Sequence, residues 1–381
     1  MTPAFSFMTA TEILFGRGTA SLATARVLAF GTRVLLVQGQ SGSRADWLAD
    51  ALAAAGATVL RLSVAAEPEL AMIGAATGAA QGFGATVVVS LGGGAVIDAG
   101  KAVAALVPAT RPLLDHLEVV GRGLPLDHPP LPFVALPTTA GTGAEVTRNA
   151  VILVPEHRRK VSLRDPRMLP RLAIIDPALT DQCPRAITLA SGLDAVTQVI
   201  EPYISTRATP LTDALCLAAI PLGLAALHRL MQGEQVQARD DMAFVSLCGG
   251  LALANAGLGV VHGLAGPLGG LANAPHGAIC GALLPHALVQ NRARVTDPQR
   301  AARIDRVLGW IGAAFGVAPD QAAARLALWS RDSGLPGLSA IGISKADATA
   351  AAVAAAASSA MQANPVALDQ TDLMAILQAA F

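Results

Sequence analysis

Charge is scarce in this chain and evenly split. Asp, Glu, Lys and Arg make up 14% of its 381 residues, 27 of each sign, so the formal net charge is zero. Lys and Arg are dispersed without a long basic run. That excludes the clustered positive charge that captures nucleic acid or an anionic membrane surface, so neither is an expected partner. Cysteine is just as sparse. Cys183, Cys216, Cys248 and Cys280 lie far apart with no Cys-x-x-Cys spacing, which argues against a zinc knuckle or a disulfide framework. We expect four reduced, structural thiols in a cytoplasmic enzyme. The N-terminus has no basic segment followed by an apolar core and a small-residue cleavage site, so no secretory signal is expected. Uninterrupted apolar runs are missing as well. The stretch 215–227 contains Pro221 and Gly223 and reads as a buried helix, not a membrane span.

What the chain has in abundance is core-forming sequence, 53% hydrophobic, over a length that allows two or three domains. Its first half alternates strand and helix. Buried-strand patterns stand at 33–37, 58–62, 86–90, 132–136 and 172–175, with an edge strand expected before Gly18 and helices at 21–30, 46–55 and 71–81. A loop with a short helix near 113–119 is expected inside 107–130, and 151–154 with 160–163 reads as a hairpin turning at Pro155-Glu156-His157. From 184 onward apolar residues recur at helical spacing, and the alanine-rich tract 348–360 has high helix propensity. The expected architecture is therefore α/β followed by all-α, with domains at 1–181 and 182–381.

The stretch 85–105, ATVVVSLGGGAVIDAGKAVAA, organises the first half. A β-branched strand runs into Gly92-Gly93-Gly94 and then a helix start, where backbone N–H groups can face a diphosphate. A second loop of this kind, Pro137-Thr138-Thr139-Ala140-Gly141-Thr142-Gly143, follows the strand at 132–136. At the end of the 33–37 strand, the loop Gln38-Gly39-Gln40-Ser41-Gly42-Ser43-Arg44 has no acidic residue. An acidic side chain there would bind the adenosine ribose hydroxyls and repel a 2′-phosphate, so Gly39, Ser41, Ser43 and Arg44 point to acceptance of NADPH, while a plain solvated loop fits the same residues equally well. In the second half, Asp194 and Gln198 fall one helical turn apart, and two histidines, His262 and His276, stand 14 positions apart, each followed by glycine. One Asp and two His can form a three-ligand metal site with an open position. Spacing alone equally allows hydrogen-bonded structural histidines.

The whole arrangement resembles the iron-containing alcohol dehydrogenase superfamily, which includes glycerol dehydrogenase, maleylacetate reductase and lactaldehyde reductase and, more remotely, dehydroquinate synthase. The matching phrases run in the family's order along nearly the full chain: ILFGRG at 13–18, SLGGGAVIDAGKA at 90–102, LPTTAGTGAEVT at 136–147, LAIIDPALT at 172–180, SGLDAVTQVIEPYIS at 191–205, GVVHGLAGPLG at 259–269, APHGAICGALLPHALVQN at 274–291 and NPVAL at 364–368. The resemblance implies a Rossmann-like dinucleotide-binding domain and a helical domain holding a divalent metal, zinc or iron, in the dehydroquinate synthase-like fold. It implies an NAD(P)-dependent oxidoreductase of small alcohols and aldehydes or ketones, assembled as a homodimer or larger. Carried over by position, Gly93, Gly94, Ala95 and Asp98 would line the diphosphate loop. Thr138, Thr139 and Thr142 would contact phosphate and ribose, and Asn149, Lys160 and Leu179 would approach the nicotinamide. Asp194, His262 and His276 would bind metal, the two histidines also being the catalytic candidates.

Three positions depart from the family. Gln198 stands where iron-dependent members have a ligand histidine, and it is a weaker donor for a transition metal. Gly266 stands where many members have a second histidine near the substrate, which removes a proton-relay group, and Ala144 replaces a serine. Three readings stay open from the residues alone. They are a metal enzyme with Gln198 nearby or ligating, a metal-independent reductase of the maleylacetate reductase type, and a catalytically degenerate nucleotide-binding protein. A lyase after dehydroquinate synthase is disfavoured, because the helical half offers few basic groups near its motifs for a phosphorylated substrate, Arg207 and His286 being the closest.

Overall fold

A computed structural model describes residues 4–272, 274–356 and 358–381. By its contacts the chain forms two compact units. One comprises 9–139 and 144–181, the other 1–8, 140–143 and 182–381.

The α/β unit is built on a six-stranded, all-parallel sheet. Its strands are β1 (Ile13–Phe15), β2 (Arg33–Gly39), β3 (Thr58–Val64), β4 (Val87–Gly92), β5 (Phe133–Pro137) and, after a hairpin of β6 (Asn149–Val154) and β7 (Arg159–Arg164), β8 (Leu172–Ile175). Spatial order is β1-β8-β5-β4-β2-β3. Helices α1 (Ala23–Leu28), α2 (Asp46–Ala54), α3 (Leu70–Phe83), α4 (Gly94–Leu106) and α5 (Leu113–His116) connect them. Val87, Val88 and Val89 are fully buried, as a strand covered on both faces requires. Leu35, Val37 and Val88 pack in one core, while Val34, Leu36, Val87 and Val89 pack in another, the alternation that a two-sided sheet imposes.

The chain leaves β2 toward β3 on one side, and β4 pairs with β2 on the other. Open α/β sheets bind ligands at such a reversal, outside the carboxyl ends of the two strands, here β2 and β4. The helix expected near 113–119 is shorter than its sequence suggests. It stops at His116 because Leu117 turns extended and buries itself as a bridge partner of Leu163.

Lys101 on α4 is fully buried and anchors the segment after β5. Its ammonium donates to the Ala144 carbonyl at 2.8 Å, to Thr147 Oγ1 at 2.9 Å and to the Asn149 carbonyl. Glu145 in the same segment is also buried, and desolvation pushes its carboxyl up to about 7. In the folded chain Glu145 therefore keeps a proton that the unfolded chain, with a pKa near 4.5, has released. Stability is full below pH ~4.5, declines as pH rises through about 7, and is level above. Glu145→Gln is expected to remove that decline, a difference of about 3 kcal/mol between the extremes. Thermal melts of both proteins from pH 4.5 to 8 check this, and parallel curves would refute it.

The other unit is helical: α6 (Arg185–Ile204), α7 (Pro210–Leu230), α8 (Val236–Ala256), α9 (Val260–Ala272), α10 (His276–Arg294), α11 (Pro298–Phe315), α12 (Ala322–Asp332), α13 (Lys345–Ala355) and α14 (Gln370–Ala379). The alanine-rich tract supplies α13 and the short 3-10 turn Ser359–Ala363, and its position 357 lies outside the described residues. By length and composition α7 could cross a membrane, as could α8 and α9 taken as one bent span. Yet Cys216, Ala219, Ile220, Leu224 and Leu227 of α7 are buried in the unit's own core with residues of α6 and α8. Pro221 sits inside α7 without ending it.

Candidate metal centre and nucleotide loops

Helix α6 carries Asp194, Gln198 and Glu201 at positions i, i+4 and i+7, a spacing that places all three along one face. Helix α9 follows α8 after a 99° bend that passes through Gly257, whose φ of 74° suits glycine. Gly259 must also be glycine, because a Cβ there would stand 2.8 Å from Glu201 Oε1 and 2.9 Å from Asn364 Oδ1. That close approach lets Glu201 Oε1 accept the Val261 N–H at 2.7 Å and Asn364 Oδ1 accept the Val260 N–H at 3.0 Å, satisfying the free amides of the helix start. Asn364 is held in turn by Asn291, its amide donating to Asn291 Oδ1 at 2.8 Å. The late Asn-Pro phrase thus clamps the helix that delivers His262.

His276 opens α10. The glycines after both histidines permit tight packing. A Cβ on Gly277 would meet the Ala190 carbonyl oxygen at 2.4 Å, and one on Gly263 would meet the Met361 sulfur at 2.7 Å.

These elements bring Asp194, His262, His276 and Cys280 together, with one donor atom from each lying within 4.8 Å of all the others. His262 Nε2 and His276 Nε2 stand 3.5 and 3.8 Å from Asp194 Oδ1. Cys280 Sγ is 3.6 Å from His276 Nε2 and 3.9 Å from His262 Nε2. Donors sharing one tetrahedral zinc at ~2.0–2.3 Å stand about 3.3–3.8 Å apart, so the set fits a cation. Asp194 Oδ1 adds a second sign: it is buried with no hydrogen-bond partner, which protein interiors rarely tolerate.

Behind His262, Glu201 Oε2 lies 2.6 Å from Nδ1. A carboxylate only accepts, so Nδ1 carries a proton, and Nε2 is the ring nitrogen that faces the other donors. Burial alone would push the His276 imidazole down, but the negative charge that Cys280 and Asp194 supply outweighs it and holds His276 at about 8. Burial works against the His262 imidazolium too, and Cys280, Asp194 and Glu201 raise it well above the ordinary value. Burial would push the Asp194 carboxyl up, yet the two imidazoles beside it hold it down. The field that retains protons on these rings is one that a divalent cation would exploit in their place.

Gln198 is buried beside Asp194, and its amide Nε2 donates to the Gly141 carbonyl at 2.9 Å. Gly266 leaves open space, with nothing within 4 Å of an added Cβ. Sequence reasoning missed Glu201 and Cys280 as members of the site and read all four cysteines as structural. The signal was helical spacing, Glu201 seven residues after Asp194 and Cys280 four after His276.

Apart from Thr142, the expected nucleotide residues belong to the α/β unit. Gly39 ends β2, and Ser41 stands exposed in the loop after it, with no capping bond from its side chain. Gln38 pairs with Leu91, and Gly92 with Pro137, so the loops after β2, β4 and β5 leave the same edge of the sheet. Gly93 caps α4 and Gly94 and Ala95 begin it, while Thr139 lies 3.4 Å from where a Gly93 Cβ would be. The Thr138 N–H is bonded to the Gly92 carbonyl at 3.0 Å.

Asp98 accepts the Val151 N–H at 3.0 Å and lies 3.5 Å from Lys101, which also holds Asn149, so these residues form one cluster. Lys160, nearly buried, stands 3.2 Å from Glu67. Leu179 packs with the sheet's second core. Thr142 belongs to the helical unit, where 140–143 packs, Gly141 against Ser191 and Gly143 against Gly250. Asp46, just beyond the β2 loop, is engaged by Arg61 at 2.7 Å, and the same guanidinium donates to the Gly42 carbonyl at 2.8 Å.

Comparison with known proteins identifies the family. The family description "Iron-containing alcohol dehydrogenase" matches residues 10–177, and "Fe-containing alcohol dehydrogenase family, C-terminal" matches 188–381. The chain is 35% identical over 349 residues to lactaldehyde reductase of Escherichia coli (strain K12), covering 90% of each. It is 33% identical over 294 residues to an NAD-dependent methanol dehydrogenase of Bacillus methanolicus, covering 76% of each. The crystal structure of a 1,3-propanediol oxidoreductase superposes with a TM-score of 0.89 at 30% identity, covering 100% of both chains. The chain belongs to the iron-containing alcohol dehydrogenase family and is an oxidoreductase that interconverts alcohols and carbonyl compounds.

Proposed function

We propose that this chain is a metal-dependent dehydrogenase of short alcohols and aldehydes that accepts NADPH, with the nucleotide held by 1–181 and metal and substrate by 182–381. The observation that carries the metal is Asp194 Oδ1, buried without a partner where His262 and His276 converge. A bound divalent cation would act as Lewis acid on the substrate oxygen while hydride passes between carbon and the nicotinamide. The chain's own part is to hold the imidazole Nε2 atoms and the Asp194 carboxylate in place through Glu201, Asn364 and the glycine contacts. Gly266 offers no side chain to relay the proton, so water or a ribose hydroxyl takes that role. Lactaldehyde, methanol and 1,3-propanediol, named for relatives, set the size of substrate to screen. Placement in the cytoplasm is supported by four free cysteines.

NADPH acceptance rests on the β2 exit. Gly39, Ser41, Ser43 and Arg44 offer room and donors, and nothing lies within 4 Å of a Cβ added at Gly39. Gly39→Asp is expected to reduce the NADPH-to-NADH ratio of kcat/KM by about tenfold or more, through repulsion of the 2′-phosphate. Steady-state kinetics with both cofactors check it, and a wild type that strongly favours NADH would refute this reading of the β2 exit. Metal analysis with NADPH and NADH titrations, before and after chelation, tests the whole reading. About one zinc or iron per chain with chelator-sensitive turnover supports it. Full turnover without metal would favour a metal-independent reductase.

A further inference from the structure

We propose that Cys280 is the fourth protein ligand of the metal centre, filling the place that histidine gives up at Gln198, and that the resulting set selects zinc over iron. The inference rests on the metal-dependent reading and refines it, the substrate oxygen then joining four protein donors as a fifth, as catalytic zinc allows.

Cys280 follows His276 by one turn of α10, so a single helix face presents an imidazole and a thiol side by side. Its sulfur is 3.6 and 3.9 Å from the two imidazole Nε2 atoms, separations suited to donors on a common ion. The unpartnered, buried Asp194 Oδ1 faces the same point, 3.5 and 3.8 Å from those nitrogens. Gln198 sits on the neighbouring turn of α6, but its amide donates to the Gly141 carbonyl at 2.9 Å, which gives that side chain a structural task.

The other cysteines provide the contrast. Cys216 and Cys248 lie in the apolar core of α7 and α8, where burial pushes the Cys216 thiol far up and that of Cys248 to about 12. Among the described residues, Cys280 is the cysteine grouped with other metal-ligating side chains.

Donor chemistry then decides the metal. Two imidazoles, a carboxylate and a thiolate suit zinc, which sulfur ligands favour, whereas three imidazoles and a carboxylate are harder and suit iron. On binding, the sulfur–hydrogen bond is replaced by a sulfur–metal bond, and the proton leaves to solvent.

X-ray absorption at the zinc edge tests this on the full-length chain, stripped of metal and reloaded with one equivalent of zinc. The wild type is expected to show one sulfur scatterer at about 2.3 Å among nitrogen and oxygen neighbours. Cys280→Ser should lose it, and its zinc dissociation constant should rise by about tenfold or more. Bound zinc with only nitrogen and oxygen neighbours in the wild type would overturn the role of Cys280 while leaving the metal-dependent reading intact. A wild type that holds neither zinc nor iron would overturn both. Retention of ferrous iron in preference to zinc, from an equimolar anaerobic mixture, would overturn the selectivity.

Discussion

Asp194→Asn is expected to empty the metal centre and lower kcat by about 10³-fold or more, while NADPH still binds. The substitution keeps the volume of a side chain that is 2% exposed, so the core of α6 is preserved. It removes the negative charge and replaces one carboxylate oxygen with an amide that donates and cannot ligate. The magnitude follows from losing Lewis-acid stabilisation worth several kcal/mol, each 1.36 kcal/mol being tenfold in rate. Metal content after dialysis, kcat and an NADPH fluorescence titration are the three readouts. An enzyme that keeps its turnover without Asp194 would remove the metal from the mechanism. Nucleotide binding serves as the control, because the loops after β2 and β4 belong to the other unit.

Glu201→Gln is the second large effect, expected to weaken metal binding about 10–100-fold without unfolding the helical unit. Glu201 serves two donors at once, the Val261 N–H at 2.7 Å and His262 Nδ1 at 2.6 Å. A glutamine has one oxygen and one amide. With its oxygen on Val261, the amide faces Nδ1, and the ring must move its proton to Nε2, where it blocks the metal. With its oxygen on Nδ1, the amide faces the Val261 N–H and leaves a buried donor unsatisfied. Glu201 is thus a positioning residue, acting through the tautomer of His262. Nitrogen-15 imidazole spectra of the metal-free protein report that tautomer, and zinc competition reports affinity. Unchanged spectra and unchanged affinity would refute the role.

Much of this was legible in the chain. The valine run into three glycines specifies a buried strand, a turn and a helix start by local sterics alone, and β4 and α4 follow it within a residue or two, Gly92 ending the strand and Gly94 opening the helix. The paired His-Gly steps and Asp194 marked a candidate metal site from residue type and spacing. The family phrases, in order along the chain, carried fold and reaction class, because a fold constrains many positions at once.

What the sequence by itself determined is what short-range rules reach, namely the alternation of elements and the places where glycine lets backbones meet. The tertiary structure decided which distant side chains share a point in space. Cys280 read as one more sparse thiol until α10 was laid against α6, with Gly277 at the Ala190 carbonyl. Glu201 read as a helix residue until the bend at Gly257 turned α9 so that its first amides met that carboxylate. Gln198 reads in the sequence as a weaker donor than histidine, and the fold adds that its amide Nε2 is tied to the Gly141 carbonyl. Donor sets are assembled by packing between helices whose sequence separation carries no information about their distance, so only the folded chain could place Cys280 beside Asp194, His262 and His276.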